Sequence, residues 1–176
     1  RGSRLDTGTE KPLIEIDGIP MIDRVLRALE ASAVERTVAV GSPQAPETLA
    51  HVDGTVIEGA GEGYVADLNL ALERIDPPVL TLGADLPLLD AASIDWVLST
   101  YDTGSAMVAV PVERKRELGV SIDSTARFDG ELVVPTGVNV VGDPEPEDTL
   151  MTERLQLTVN VNRTRDVRIA GTLLRN

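Results

Sequence analysis

Short apolar segments alternate with amphipathic helical segments along the whole chain, and this alternation limits most strongly how the chain can fold. It predicts an α/β domain with a mostly parallel central sheet between helical layers. The predicted strands are residues 12–16, 37–41, 55–57, 79–82, 105–112, 137–141 and 157–161. The predicted helices are residues 20–31, 46–52, 64–75, 91–101 and 164–174, with a helical turn over 147–154. We therefore expect a single Rossmann-like, three-layer domain over residues 1–176.

The opening segment RGSRLDTGTEKPL is rich in glycine, arginine and threonine. Gly2 and Ser3 are small enough to let backbone N–H groups approach phosphate oxygens, and Arg4 and Lys11 add positive charge. The sequence therefore indicates a phosphate-binding loop, with an ordinary polar terminal segment as the alternative. Because a loop of this kind normally follows a strand, we expect the domain to have a further strand upstream of Arg1.

The composition argues against several classes of protein. The formal net charge is −13, whereas nucleic-acid-binding proteins usually carry excess lysine and arginine to neutralise phosphates. No apolar run approaches the roughly 18–20 residues of a membrane span, and no secretory leader is visible. We expect a cytoplasmic protein that binds neither nucleic acid nor membrane. Cysteine is absent, so thiol nucleophiles and thiolate metal ligands are excluded.

Lysine is scarce, because Lys11 and Lys115 are the only two and the other basic residues are arginines. An acidic, lysine-poor composition resembles that of proteins from high-salt cytoplasm, where screening weakens surface self-repulsion. A halophilic archaeon is therefore one expected source. An acidic enzyme from a GC-rich genome is the alternative.

Polar residues follow two of the predicted strands. Asp85 ends the segment after strand 79–82, where ligands of open α/β sheets bind, and a carboxylate there suits Mg²⁺ that also contacts substrate phosphates. Asn160 and Asn162 are two residues apart on the last predicted strand and would share one face. The sequence therefore predicts a magnesium site. Turn chemistry, with Asn162 as a helix N-cap, is the alternative.

The segment GAGEGYVADLN joins a predicted strand to a predicted helix. Gly61 and Gly63 would leave room for a base or ribose, close to Asp67 and Asn69. A dinucleotide-binding fingerprint is a second interpretation, although Tyr64 stands where the third glycine of that motif is expected. Asp67 and Asn69 could equally be exposed helix residues.

The chain lacks the residues for several common kinds of catalysis. His51 is the single histidine and is interpreted as structural. Without a Ser/His/Asp or Cys/His set, chemistry that needs no protein nucleophile or base fits best. Nucleotidyl transfer to an ionised phosphate is such chemistry, because it depends on positioning and on charge neutralisation.

Several motifs resemble a known family. RGSR with EKPL resembles the second half of the G-G-x-G-T-R…K-P-L signature of nucleotidyltransferases of the molybdenum-cofactor guanylyltransferase and sugar-nucleotide pyrophosphorylase type. More closely, GEGYVADLN, ADLPLL, VPTGVNVV and LTVNVNRTRDV resemble archaeal adenosylcobinamide-phosphate guanylyltransferases. Together these motifs cover nearly the whole chain.

The resemblance implies transfer of GMP from GTP to adenosylcobinamide phosphate, a phosphorylated corrinoid, with Mg²⁺ as cofactor and pyrophosphate as product. Lys11 and Arg4 would neutralise charge that develops on the pyrophosphate. The residues implied to bind the GTP phosphates or Mg²⁺ are Gly2, Ser3, Arg4, Lys11, Asp85, Asn160 and Asn162. Those implied to line the guanosine and acceptor pocket are Gly61, Gly63, Asp67, Asn69, Gly137 and Asn139.

Three other functions stay open at this point. A related guanylyltransferase that acts on molybdopterin or phospholactate would keep the chemistry and change the acceptor. A dinucleotide-dependent oxidoreductase would use the glycine-rich segment, and a regulatory nucleotide-binding protein would lack turnover. The oligomeric state is also open, with a homodimer as one alternative.

The acidic composition predicts the response of the fold to salt. If surface self-repulsion is the dominant electrostatic term, molar KCl should raise the melting temperature above its value in dilute buffer. A thermal-unfolding series in KCl measures this. A fold that is most stable in dilute buffer would contradict the halophile interpretation.

Overall fold

The computed structural model describes residues 8–175, which form sheets surrounded by helices. The strands are β1 (Glu15–Ile16), β2 (Ile19–Pro20), β3 (Ala39–Gly41), β4 (Val56–Glu58), β5 (Val79–Leu82), β6 (Ser105–Pro111), β7 (Ala126–Phe128), β8 (Glu131–Val141) and β9 (Glu147–Met151). The helices are α1 (Met21–Glu30), α2 (Pro46–His51), α3 (Tyr64–Leu72), α4 (Ala91–Thr100), α5 (Val112–Leu118), α6 (Leu155–Thr158) and α7 (Thr164–Leu173). The predicted α/β class is confirmed. No described helix is long and apolar enough to cross a membrane.

The largest sheet has five strands and is mixed. Its order is β5–β8–β6–β9, with β7 also paired to β8. β8 runs antiparallel to β5, β6 and β7, whereas β6 and β9 are parallel, as are β3 and β4 in a separate sheet. β8 follows β7 through the Asp129–Gly130 turn, whose residues both have positive φ. This tight connection makes β8 antiparallel to β7, because two parallel neighbours require a long crossover between them.

The structure corrects two sequence predictions near the C-terminus. Residues 147–154 were expected to form a helical turn, but Glu147–Met151 is strand β9, held by pairing with β6. Residues 157–161 were expected to be a strand, but Leu155–Thr158 is helix α6, and the chain becomes extended at Val159. Tertiary pairing decides the conformation of such short segments more than their local propensity does.

β8 contains a bulge in the part of the strand that lies nearest the predicted site. The register between β6 and β8 shifts between Met107 and Ala109. The Thr136 hydroxyl donates to the Val108 carbonyl at 3.0 Å and accepts from the Val138 N–H at 3.2 Å. Gly137 has φ +83°, and a Cβ there would lie 3.4 Å from the Asn160 side chain. The bulge therefore brings the β8 backbone close to Asn160.

The loop around Glu10 is fixed to helix α2. The Glu10 carboxylate accepts from the backbone N–H groups of Glu47 and Thr48, at 3.0 and 2.7 Å, and from the Thr48 hydroxyl. It thereby satisfies N–H groups that the first turn of a helix leaves unpaired. Partial burial raises the pKa of Glu10, but these hydrogen bonds outweigh it and hold the pKa below its usual value. Glu10 thus connects the segment that carries Lys11 to the body of the domain.

The Glu10 contacts predict a pH-dependent contribution to stability. Because the folded-state pKa is lowered, the contribution is present above the usual glutamate pKa and is lost as the pH falls through the folded value. Glu10→Gln should therefore lower the melting temperature at neutral pH. The difference from the wild type should close in acid, as thermal unfolding between pH 7 and pH 3 would show. A constant difference across this range would contradict the role of the charge.

Candidate active site

The Lys11 ammonium lies between two residues that are distant in sequence. It donates to Asp85 Oδ2 at 2.6 Å and to Asn162 Oδ1 at 2.7 Å. The Lys11 and Asp85 side chains are 25% and 23% exposed, so solvent reaches the ion pair. Three segments therefore meet at one point: the turn that begins at Lys11, the loop after β5 and the segment after α6.

The backbone around Asp85 is held on both sides. The Gly83 N–H donates to the Gly137 carbonyl at 3.2 Å, and the Val161 N–H donates to the Asp85 carbonyl at 2.9 Å. The next residue, Leu86, is fully buried in the core. A carboxylate on a segment anchored in this way keeps its position when a ligand binds.

A second lysine was missed by the sequence-based site prediction. Lys115 on α5 is only 2% exposed, and its Nζ donates to Asn160 Oδ1 at 2.8 Å. The Asn160 amide in turn donates to the Thr136 carbonyl at 2.5 Å. Burial lowers the pKa of Lys115 below its usual value, and the negative charges of nearby aspartates oppose this effect. The scarcity of lysine was the signal that could have identified it.

The fully buried carboxylate of Asp166 joins two walls of this region. It accepts from the Ser121 N–H at 2.8 Å and from the Ser121 hydroxyl at 2.6 Å. It also accepts from the N–H groups of Asn162 and Arg163, at 3.0 and 2.8 Å. The N-cap of α7 is Arg163, not Asn162, so the alternative role considered for Asn162 is excluded. Asp166 therefore fixes the loop after α5 against the segment that carries Asn162.

These residues surround a cleft of about 300 Å³, at the lower end of the volumes typical of small-molecule sites. Asp85, Asn139, Asn160 and Asn162, together with Gly137, are the predicted site residues that line it. The other lining residues are Tyr64, Gly83, Lys115, Ser121, Asp123, Ser124, Val134 and Pro135.

At one position in the cleft, two side-chain oxygens are of the kind that Mg²⁺ takes as ligands. Asp85 Oδ2 and Asn162 Oδ1 converge on the Lys11 ammonium, so the two oxygens face a common point where a cation is already favoured. Mg²⁺ needs one or two carboxylates and otherwise takes waters and substrate phosphates. Within residues 8–175 no group of three or more aspartate, glutamate, histidine or cysteine residues is arranged so that it could hold a metal ion. The two asparagines hold different lysines. The Asn160 amide oxygen accepts from buried Lys115, whereas the Asn162 amide oxygen accepts from Lys11.

The glycine-rich segment contributes less to the cleft than expected. Gly61, Gly63, Asp67 and Asn69 are not among the described lining residues, although Tyr64 is. The Asp67 carboxylate accepts from the Gly61 N–H at 3.0 Å, so Asp67 stabilises the loop. Asn69 is exposed.

Three predicted site residues cannot be compared with the structure, and His51 lies outside the cleft lining, where it was predicted to be structural. Gly2, Ser3 and Arg4 lie outside the described residues. His51 pairs with Asp23 on α1 at 2.7 Å, away from the cleft lining.

Comparison with known proteins defines the class of enzyme. The model of the MobA-like NTP transferase domain matches residues 1–122. The chain belongs to this family and is a nucleotidyltransferase. It is similar to the adenosylcobinamide-phosphate guanylyltransferase of Methanocaldococcus jannaschii, with 29% identity over 192 residues, 99% of this chain and 93% of the relative. It is also 28% identical to a 3-deoxy-manno-octulosonate cytidylyltransferase of Bradyrhizobium over 76% of this chain and 53% of that protein.

Solved structures show the same fold at low sequence identity. A hypothetical transferase from Thermus thermophilus has a TM-score of 0.70 and 18% identity, over 89% of this chain and 90% of its own. A 4-diphosphocytidyl-2C-methyl-D-erythritol synthase from Anaerococcus prevotii has a TM-score of 0.67 and 12% identity, over 98% and 93% of the two chains. The predicted Rossmann-like nucleotidyltransferase fold is thus confirmed.

Proposed function

We propose that this nucleotidyltransferase transfers GMP from GTP to adenosylcobinamide phosphate, giving adenosylcobinamide-GDP and pyrophosphate. The observation that carries the proposal is the convergence of Lys11, Asp85 and Asn162. Its specific acceptor rests on the similarity that extends over 99% of the chain. The family assignment favours nucleotidyl transfer over the dinucleotide-dependent oxidoreductase considered from the sequence.

The chemistry is an in-line substitution at the α-phosphorus of GTP. An oxygen of the acceptor phosphate forms a bond to the α-phosphorus. The bond from that phosphorus to the α–β bridging oxygen breaks, and pyrophosphate leaves with the electron pair. The acceptor phosphate is already ionised, so the step needs no protein base. This agrees with a described cleft that contains no histidine.

The residues of the chain have separate tasks in this reaction. Lys11 leaves its contacts with Asp85 and Asn162 and donates to the β- and γ-phosphates, where negative charge develops. Asp85 and Asn162 would then hold Mg²⁺, which would neutralise charge on the phosphates. Gly2, Ser3 and Arg4 belong to the same phosphate loop by sequence.

The remaining predicted residues serve the nucleoside and the acceptor. Gly137 and Asn139 line the cleft beside Asp85 and would contact the bound nucleotide. Gly61, Gly63, Asp67 and Asn69 would form or support the wall on the guanosine side, with Tyr64 as the member that lines the cleft.

Substitution of the two charged residues tests the proposal. Asp85→Asn and Lys11→Met should each lower kcat for pyrophosphate release by at least about 100-fold, since each removes a preorganised charge at the reacting phosphates. Asp102→Asn is the matched control, because Asp102 is exposed and does not line the cleft. Full activity in either cleft variant would refute the assignment.

Substrate competition tests the specificity. With Mg²⁺ and adenosylcobinamide phosphate, GTP should support faster turnover than CTP or UTP. The similarity to cytidylyltransferases makes CTP the most informative competitor. Preference for CTP, or for an acceptor such as molybdopterin or phospholactate, would keep the class of reaction and overturn the proposed substrates.

A further inference from the structure

The ammonium of Lys115 is buried, but it has fewer hydrogen-bond and ion-pair partners than a buried charge usually has. It is only 2% exposed and forms a hydrogen bond with the neutral amide oxygen of Asn160. An ammonium has three N–H donors. Among residues 8–175 Asn160 is its one hydrogen-bond acceptor, and no carboxylate forms an ion pair with it.

This arrangement is costly for a purely structural residue. Burial of a charge lowers stability unless the charge is paired and its hydrogen-bonding groups are satisfied. Asp166 is buried nearby, but its carboxylate is already held by Ser121, Asn162 and Arg163. The described protein therefore leaves donor capacity on Lys115, and Lys115 faces the cleft.

The position of Lys115 relative to Lys11 is set by two asparagines. Asn160 holds Lys115, and Asn162 holds Lys11. Side chains two residues apart on an extended segment are about 7 Å apart. The buried Lys115 thus lines the cleft, and the partly exposed Lys11 contacts Asp85 and Asn162, which also line it.

We propose that Lys115 binds the phosphate of the acceptor, while Lys11 binds the phosphates of the nucleotide. This inference rests on the proposed function and assigns its second substrate to a separate part of the same cleft. Asn160 is a positioning residue in this arrangement, because it orients the Lys115 ammonium and leaves the other N–H groups of that ammonium available. Two cations side by side bring the attacking phosphate and the nucleotide together against their mutual repulsion.

Binding measurements on matched ligands isolate the contribution of Lys115. Adenosylcobinamide phosphate and unphosphorylated adenosylcobinamide differ only in the phosphate. Their dissociation constants are measured by calorimetry in the wild type and in Lys115→Met, Lys11→Met and Arg116→Met. Arg116 is the control because it is the next residue on α5, is exposed and does not line the cleft.

The expected result is selective. The wild type should bind the phosphorylated ligand about 10- to 100-fold more tightly, as a charge-assisted hydrogen bond predicts. Lys115→Met should reduce this ratio to near one, and Lys11→Met and Arg116→Met should retain it. GTP affinity should fall in Lys11→Met instead. Retention of the ratio in Lys115→Met, or its loss in Lys11→Met alone, would overturn the assignment.

Two further measurements keep this test separate from the folding of the variant and from the identity of the acceptor. Methionine suits a buried position, and the thermal unfolding of the Lys115→Met variant is checked first. If this variant does not unfold cooperatively, Lys115→Gln replaces it in the same comparison. If the wild type binds neither corrinoid, the proposed acceptor fails and inorganic phosphate is used. Phosphate should then raise the melting temperature of Lys11→Met, in which the Lys115 site alone remains, but not that of the variant that carries both Lys11→Met and Lys115→Met. Equal rises would refute the anion site.

Discussion

The contact of the Lys11 ammonium with Asp85 and Asn162 is the constraint on which the rest of the cleft depends. It joins residues that are 74 and 151 positions apart in sequence. The partners of Lys11 lie on backbone that is itself fixed by Gly137 and Val161. A side chain that holds two oxygens together in this way prepares a cation site and a phosphate site at once, since either a metal or a phosphate can take over one set of its contacts.

The two lysines give an acidic protein a local site for anions. The chain carries a net charge of −13, yet Lys115 lines the cleft and Lys11 contacts two residues that line it, Asp85 and Asn162. The negative charges of Asp166, Asp85 and Asp123 act on the buried Lys115 without a direct ion pair among the described residues. Well-packed apolar residues at such positions would often be as stable or more stable. We therefore interpret both buried charges as serving the cleft, with Asp166 fixing its walls.

Sequence reasoning predicted the parts of the site that follow from local rules. Asp85 was predicted because ligands bind beyond strand ends, and Asn162 was predicted in the same way, although the strand predicted before it is helix α6. The structure brings both side chains to the Lys11 ammonium. Lys115 was not found, because the segment VERKREL has the charge pattern of a solvated helix. Its burial depends on how α5 packs against β6 and β8. The supporting role of Asp67 and the pairing of β9 with β6 likewise depend on tertiary contacts.

Nuclear magnetic resonance of the lysine Nζ groups tests the central claim most directly, because the chain has only Lys11 and Lys115. With ¹⁵N-labelled lysine, each Nζ signal can be assigned by its loss in one methionine variant. GTP with Mg²⁺ should shift the Lys11 signal, as the ammonium moves from Asp85 and Asn162 to the phosphates. If GTP binds and the Lys11 signal does not move, the phosphate-binding role of Lys11 is wrong.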